Sequence, residues 1–465
     1  MLFQSVGFLF IFLPIFLIFL KIAPKGTPKS ICILCFSYLF YSGSEPFFLI
    51  ILGFSSLLDY FVALALDRAQ TTGRRRIFLI FSVIANLGLL GFYKYGGMVL
   101  PHLNPILNMF GLGTFAPEFF KSFVLPAGIS FYTFQSMSYT IDVYRGFIKP
   151  ERSIIGYANY VAYLPQLIAG PIERFGHLHS QLQKMVQGET VPHWSAGFDR
   201  ISVGIIEKLF IADSCGLIVD TLLRSGGPYN LWTGWAIATG FGMQILFDFA
   251  GYTHMAIGIS MLLGVELTEN FLSPYKSRNI QDFWRRWHVT LSSWFRDYLY
   301  IPLGGSRRGL GRTVFNILVT FTLCGLWHGA GWNYVAWGAA HGLLLAVFHI
   351  VSSKFPKFTL PRPLGVFLTF AAVHFMWILF RVNDPQQVTL IWQAMVGMNG
   401  LTVGEVSIFD LVFLVGVALF SVLSPNAAER WPGRSGPLES VSLWALALLA
   451  VFSSPQINQF IYFQF

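Results

Sequence analysis

Apolar runs alternate with short polar segments along most of the chain. Runs at residues 6–20, 31–41, 47–66, 77–97 and 119–141 open the sequence, and runs at 313–326, 332–350, 364–380, 408–423 and 443–452 close it. A bilayer core of about 30 Å takes roughly 20 apolar residues in helical form. The spacing therefore predicts an all-α polytopic membrane protein. The middle of the chain has a different texture. Residues 154–194 hold a short apolar core broken by Pro165 and Pro171, followed by Glu173, Arg174, His177 and His179. This pattern predicts a broken or re-entrant helix, which is tolerated only where its freed backbone groups are buried in protein or line a wet cavity.

Two further stretches depart from the simple alternation. Residues 198–223 carry Arg200, Glu207, Lys208, Asp213 and Asp220 among apolar positions, which predicts either a protein-facing span or an interfacial helix. Residues 231–263 are long and glycine-rich and enclose Asp248 and His254. Six positions apart, those two do not share a helix face; they meet only through a break at Gly251, or act separately.

Charge turns this pattern into a topology. Loops 21–29, 68–76 and 145–152 are basic and loops 42–46 and 98–118 are not, so the positive-inside rule predicts an external N-terminus. Lys354, Lys357 and Arg362 mark an inner loop, Arg430 and Arg434 another, and 382–406 suits the outer side. A total of about ten or twelve crossings follows. Either total places the tail FIYFQF, residues 460–465, outside. The net charge of +9 is explained by these loops rather than by nucleic-acid binding. A mean hydropathy of +0.60 with 11% charged residues excludes a soluble disordered protein. The first 20 residues lack a basic segment ahead of the apolar run and a small-residue cleavage site, so they read as a retained span. Neither a linker nor a second soluble domain is evident, and residues 1–465 read as a single integral-membrane domain.

Residues 281–341 hold the densest mixture of Arg, His, Trp, Asp and Gly. Segment 281–312 is charged and aromatic; segment 313–341 is apolar, with His328 in LWHGAGW and His341 beyond it. An imidazole inside membrane-embedded sequence is by default a functional-site candidate, and neutral imidazole can take a proton from a hydroxyl. The competing reading is a structural histidine hydrogen-bonded between helices. His288, near Arg285, Arg286, Arg296 and Asp297, is the second candidate, and the basic residues around it suit phosphate groups on a soluble donor. His177 and His179 do not share a helix face and have no third ligand at suitable spacing, so no metal is expected. Cys32 and Cys35 have C-x-x-C spacing but apolar neighbours, which favours a buried helix over a redox pair. The chain contains no GxSxG elbow, P-loop or HExxH motif, which argues against serine hydrolysis, nucleotide hydrolysis and zinc proteolysis.

LPQLIAGPIERF, FDFAGY, RRWHVTLSSWFRDYLYIPLGG and LWHGAGWNYVAWGAAHG, long motifs in fixed order, together resemble the membrane-bound O-acyltransferase family, nearest its bacterial alginate O-acetylation branch. The resemblance implies a helical ring around a thin central region, with a cavity reaching His328 as the catalytic histidine and His288 in the second, partly conserved position. It implies acetyl-CoA as donor, its phosphates attracted to Arg285, Arg286, Arg307, Arg308 and Arg312, with Asp248, Trp327 and Asn333 in support. Tyr462 in the tail matches a tyrosine that receives the acyl group in a related D-alanylation system. The implied setting is the bacterial cytoplasmic (inner) membrane, with an extracytoplasmic SGNH-type O-acetyltransferase and polysaccharide synthesis or export machinery as partners. His254 and Glu173 depart from the branch pattern. A transporter of an acylated intermediate or polysaccharide, a structural subunit, and D-alanyl transfer from a carrier protein are the alternative readings.

Overall fold

The computed structural model describes residues 2–43, 45–111, 125–401, 406–425, 436–454 and 460–461, and none of them forms a strand. The helices are α1 (Phe8–Ile22), α2 (Thr27–Ser42), α3 (Phe48–Arg68), α4 (Thr72–Val99), α5 (Ile129–Arg145), α6 (Ile154–Val161), α7 (Phe175–Gln187), α8 (Trp194–Ile206) and α9 (Asp213–Arg224). They continue as α10 (Leu231–Leu262), α11 (Ile280–Arg286), α12 (Val289–Phe295), α13 (Leu310–His328), α14 (Trp332–Lys354), α15 (Arg362–Arg381), α16 (Pro385–Met395), α17 (Ile408–Leu423) and α18 (Pro437–Ser453). Among the described residues, α3, α4, α10, α13, α14 and α15 are long and apolar enough to cross a membrane, and α1, α17 and α18 are shorter apolar helices. The chain is thus an all-α polytopic membrane protein. Of the run expected at 119–141, the part from Ile129 is helical, and residues 112–124 lie outside the described set.

The packing divides into two compact units, residues 1–201 with 255–268 and residues 202–254 with 269–465. In the first, phenylalanines knit α1 to α2: Phe8 lies 5.5 Å from Phe40 and Phe16 lies 5.1 Å from Phe36, ring centre to ring centre. Buried Asp59 on α3 accepts from Ser82 Oγ at 2.6 Å and from Asn86 Nδ2 at 2.9 Å, both on α4. Those donors offset the cost of a carboxyl group at bilayer depth.

The broken helix expected after residue 154 is present. Helix α6 ends at Val161, and α7 starts only at Phe175. Protein groups take up the freed backbone acceptors. The carbonyl of Tyr160 accepts from Gln135 Nε2 at 2.7 Å and from Gln166 Nε2 at 3.0 Å, and the Tyr160 hydroxyl donates to the carbonyl of Glu173 at 3.1 Å.

In the second unit α13 and α14 form an antiparallel hairpin with their backbones almost touching. A Cβ on Gly325 would fall 2.9 Å from the Cα of Gly338, and a Cβ on Gly338 would fall 2.8 Å from the Cα of Gly325. Small residues at a helix crossing allow this approach. Between α8 and α9 a π-helical stretch, Glu207–Ala212, widens the helix at the charged residues noted in the sequence. Local widening of this kind is frequent at functional sites.

Candidate active site

His328 is the last residue of α13, and Gly329 beyond it is extended. The zipper of Gly325 and Gly338 therefore holds the imidazole at the closed end of a rigid hairpin. Its ring is buried at 3% exposure. Trp327 lies 4.9 Å away, Trp337 5.1 Å and Phe380 5.2 Å, and Cys324 Sγ sits 4.0 Å from Nε2. Asn333 lies in the first turn of α14 and donates to the carbonyl of Leu379 at 3.3 Å. It tethers the hairpin to the helix that supplies Phe380.

His288 is held differently. It connects α11 to α12 with φ +41° and ψ +57°, a left-handed conformation uncommon outside glycine and of the sort that clusters at functional sites. Main-chain bonds pin it on both sides: Leu272 N–H donates to the carbonyl of Arg286, and Val289 N–H donates to the carbonyl of Asn270, each at 2.9 Å. The side-chain oxygen of Asn270 accepts from the Thr290 hydroxyl at 2.9 Å and lies 3.0 Å from His288 Nδ1. The Thr290 N–H points at the same oxygen, which fixes the amide orientation. Nδ1 must then carry the proton, leaving the lone pair on Nε2. Burial pushes the His288 pKa down to about 3, so the ring is neutral at physiological pH. In this tautomer Nε2 is a hydrogen-bond acceptor.

The two imidazoles meet at one side chain. Trp327 lies 4.9 Å from His328 and 6.4 Å from His288. His341 belongs to the same aromatic body, 4.8 Å from Trp337 and 5.2 Å from Trp284.

Asp248 reaches this body through the tail. It is 2% exposed, pairs with Lys208 Nζ at 2.7 Å and accepts from the main-chain N–H of Ile461 at 2.6 Å. Lys208 also pairs with Asp213 at 2.7 Å. Phe460 packs 5.4 Å from Phe249, whose ring is 4.7 Å from His288. Tyr462, the proposed acyl carrier, follows directly but lies outside the described residues. Helix α10 does not break at Gly251. Asp248 and His254 act separately, on consecutive residues of the π-helical stretch: His254 Nε2 is 3.4 Å from Glu207 Oε2.

The five arginines differ in their settings. Arg286 is engaged by Asp282 at 2.8 Å, and Arg312 donates to the carbonyl of Leu303 at 3.3 Å. Arg285, Arg307 and Arg308 are exposed. Arg312 and His328 stand near opposite ends of α13, about 24 Å apart at the helical rise. Glu173 and His177 pair at 2.9 Å, as do Glu151 and His179 at 2.6 Å. Among the described residues no three His, Cys, Asp or Glu side chains are grouped to hold a metal.

Asn270, Trp337 and Phe380 carry no local signal in the sequence; Lys208 stands out there only as one of several charges in an apolar stretch.

Fold and site together define a multi-pass helical membrane protein with two histidines buried against a shared tryptophan. Residues 147–383 match the model of the membrane-bound O-acyltransferase family, and the chain belongs to that family; it is a membrane-bound O-acyltransferase. It is 37% identical to the probable alginate O-acetylase AlgI of Pseudomonas aeruginosa, over 91% of this chain and 80% of that protein. It is 33% identical to the peptidoglycan O-acetyltransferase of Helicobacter pylori, over 88% and 82% respectively. The teichoic acid D-alanyltransferase of Bacillus subtilis is 28% identical over 54% of this chain and 68% of its own length.

Proposed function

We propose that the enzyme takes acetyl groups from acetyl-CoA on the cytosolic side of the bacterial inner membrane, for O-acetylation of an extracytoplasmic polysaccharide. The observation that carries this reading is the docking of the tail at Phe249, the ring that packs on His288, within one aromatic body that also holds His328. Similarity to alginate and peptidoglycan O-acetylating proteins supports the acyl group and the class of final acceptor.

His328 accepts the proton of an acceptor hydroxyl as its oxygen attacks the thioester carbonyl. The new C–O bond forms, the C–S bond breaks, and the sulfur leaves as the thiol with the proton from His328. His288 Nε2, a hydrogen-bond acceptor, suits an amide N–H of the donor's pantetheine arm and so orients the thioester. The acceptor is Tyr462, which relays the acetyl group to an SGNH-type O-acetyltransferase outside the membrane.

The test is to incubate purified protein with acetyl-labelled acetyl-CoA and map the label by peptide mass spectrometry. Label on the tail that is lost in Tyr462→Phe and in His328→Ala supports the relay. Undiminished transfer in His328→Ala overturns the base assignment. Label supplied only by a D-alanyl carrier protein overturns the donor.

A further inference from the structure

A groove of about 670 Å³ in the second unit is lined by α10, α15 and α17. Its wall is almost wholly apolar, and Phe367, Val415 and Leu419 are more than half exposed along it. The two ends differ. Trp232 and Trp235, in the first turns of α10, stand at one; their indole N–H groups donate to the carbonyls of Leu401 at 3.0 Å and Met395 at 2.9 Å, which fixes the rings. Lys276 and Arg362 stand at the other. Residue 278 abuts the start of α15, where a Cβ on Gly365 would fall 2.7 Å from the carbonyl oxygen of Arg278. Pro274, just before Lys276, shares a cavity with Phe420 and Ser421 at the end of α17. The two cations thus share the end of the groove where α17 finishes. Among the described residues neither forms an ion pair.

We infer that this groove binds a bilayer phospholipid with an anionic headgroup, its phosphate between Lys276 and Arg362 and an acyl chain along the wall toward the tryptophans. An apolar wall alone selects no lipid, since hydrocarbon tails are as apolar as leucine. The selection comes from charge, because juxtamembrane Lys and Arg favour anionic headgroups. The length fits as well. The stretch of α17 from Leu411 to Leu423 rises about 18 Å, close to one leaflet of a ~30 Å core. Tryptophans that present an apolar body while their N–H groups stay bonded are suited to flank a lipid chain.

The experiment uses the full chain in neutral detergent with an equimolar mixture of phosphatidylglycerol and phosphatidylcholine of matched chains, read by native mass spectrometry. The wild type is expected to retain phosphatidylglycerol over phosphatidylcholine by roughly tenfold, and the Lys276→Gln/Arg362→Gln variant to bind both about equally. Ala418→Trp, which fills the groove but keeps both cations, is expected to lose the retained lipid while its melting temperature stays within a few degrees of the wild type. Equal retention of the two lipids by the wild type overturns the inference. So does a preference that survives in the double variant, a lipid still held by folded Ala418→Trp, or displacement of the lipid by millimolar glycerol phosphate, which would mean that the phosphate alone is recognised.

Discussion

His328 and His288 rest on the same tryptophan, but opposite means put them there. His328 ends a regular helix whose neighbour is drawn in by glycines at matching heights, so its position follows from repetitive local geometry. His288 sits between two short helices in a left-handed conformation, kept there by bonds to a segment eighteen residues earlier in the chain, at Asn270. One residue is held by regularity and the other by strain opposed with hydrogen bonds. A regular support tolerates loss of the side chain it carries. A strained support depends on the identity of the residue itself.

The sharpest break of this symmetry is His328→Ala. Under the proposed base role its removal costs roughly 10²–10⁴ in rate, so acetyl-CoA turnover is expected to fall by that range while the variant stays folded. His288→Ala is expected to cost about 10²-fold in kcat/KM, in the range of other preorganised polar groups, with a larger rise in KM than fall in kcat. His288→Asn should stay within about tenfold of wild type, because asparagine tolerates the left-handed conformation and its amide oxygen can accept the same hydrogen bond. If alanine and asparagine are equally damaging at 288, the backbone has no part in the effect.

Gly338→Ala tests the regular support. The added carbon falls against backbone, and overpacking costs about 1–3 kcal/mol, readable as lower thermal stability in detergent with the donor KM unchanged. The smallest effect lies away from both histidines. The carboxylate of Glu173 raises the His177 pKa above its ordinary value of 6.5. A raised folded-state pKa stabilises below the unfolded value and is lost as pH rises through the folded one. Hydrogen-exchange protection at the start of α7, corrected for intrinsic rates, is therefore expected to weaken from pH 6 to pH 8, and His177→Gln to remove that dependence.

The same contrast sets what could be read from sequence. The spans were legible because a helix bordered by lipid is apolar on its outer face as well as its buried one and so leaves a long apolar run, and the break after residue 154 because Pro165 and Pro171 interrupt one. His328 stood out as an imidazole in oil among glycines. Nothing in RRWHV announces a positive φ, and nothing near Asn270 announces that it fixes the tautomer of His288. The pairing of Asp248 with Ile461 spans 213 positions and has no local signature at either end. Lys208 was noticed only as one of several charges in an apolar stretch; its two carboxylate partners appear only once α8, α9 and α10 are packed.

The hold on Ile461 is a grip on the main chain, and such a grip does not read the side chain. Any side chain at 461 presents the same N–H to Asp248, and only proline withholds it. What is specified there is a point on the backbone: replacing Ile461 by any residue but proline leaves the bond in place, and Ile461→Pro removes it without altering Asp248.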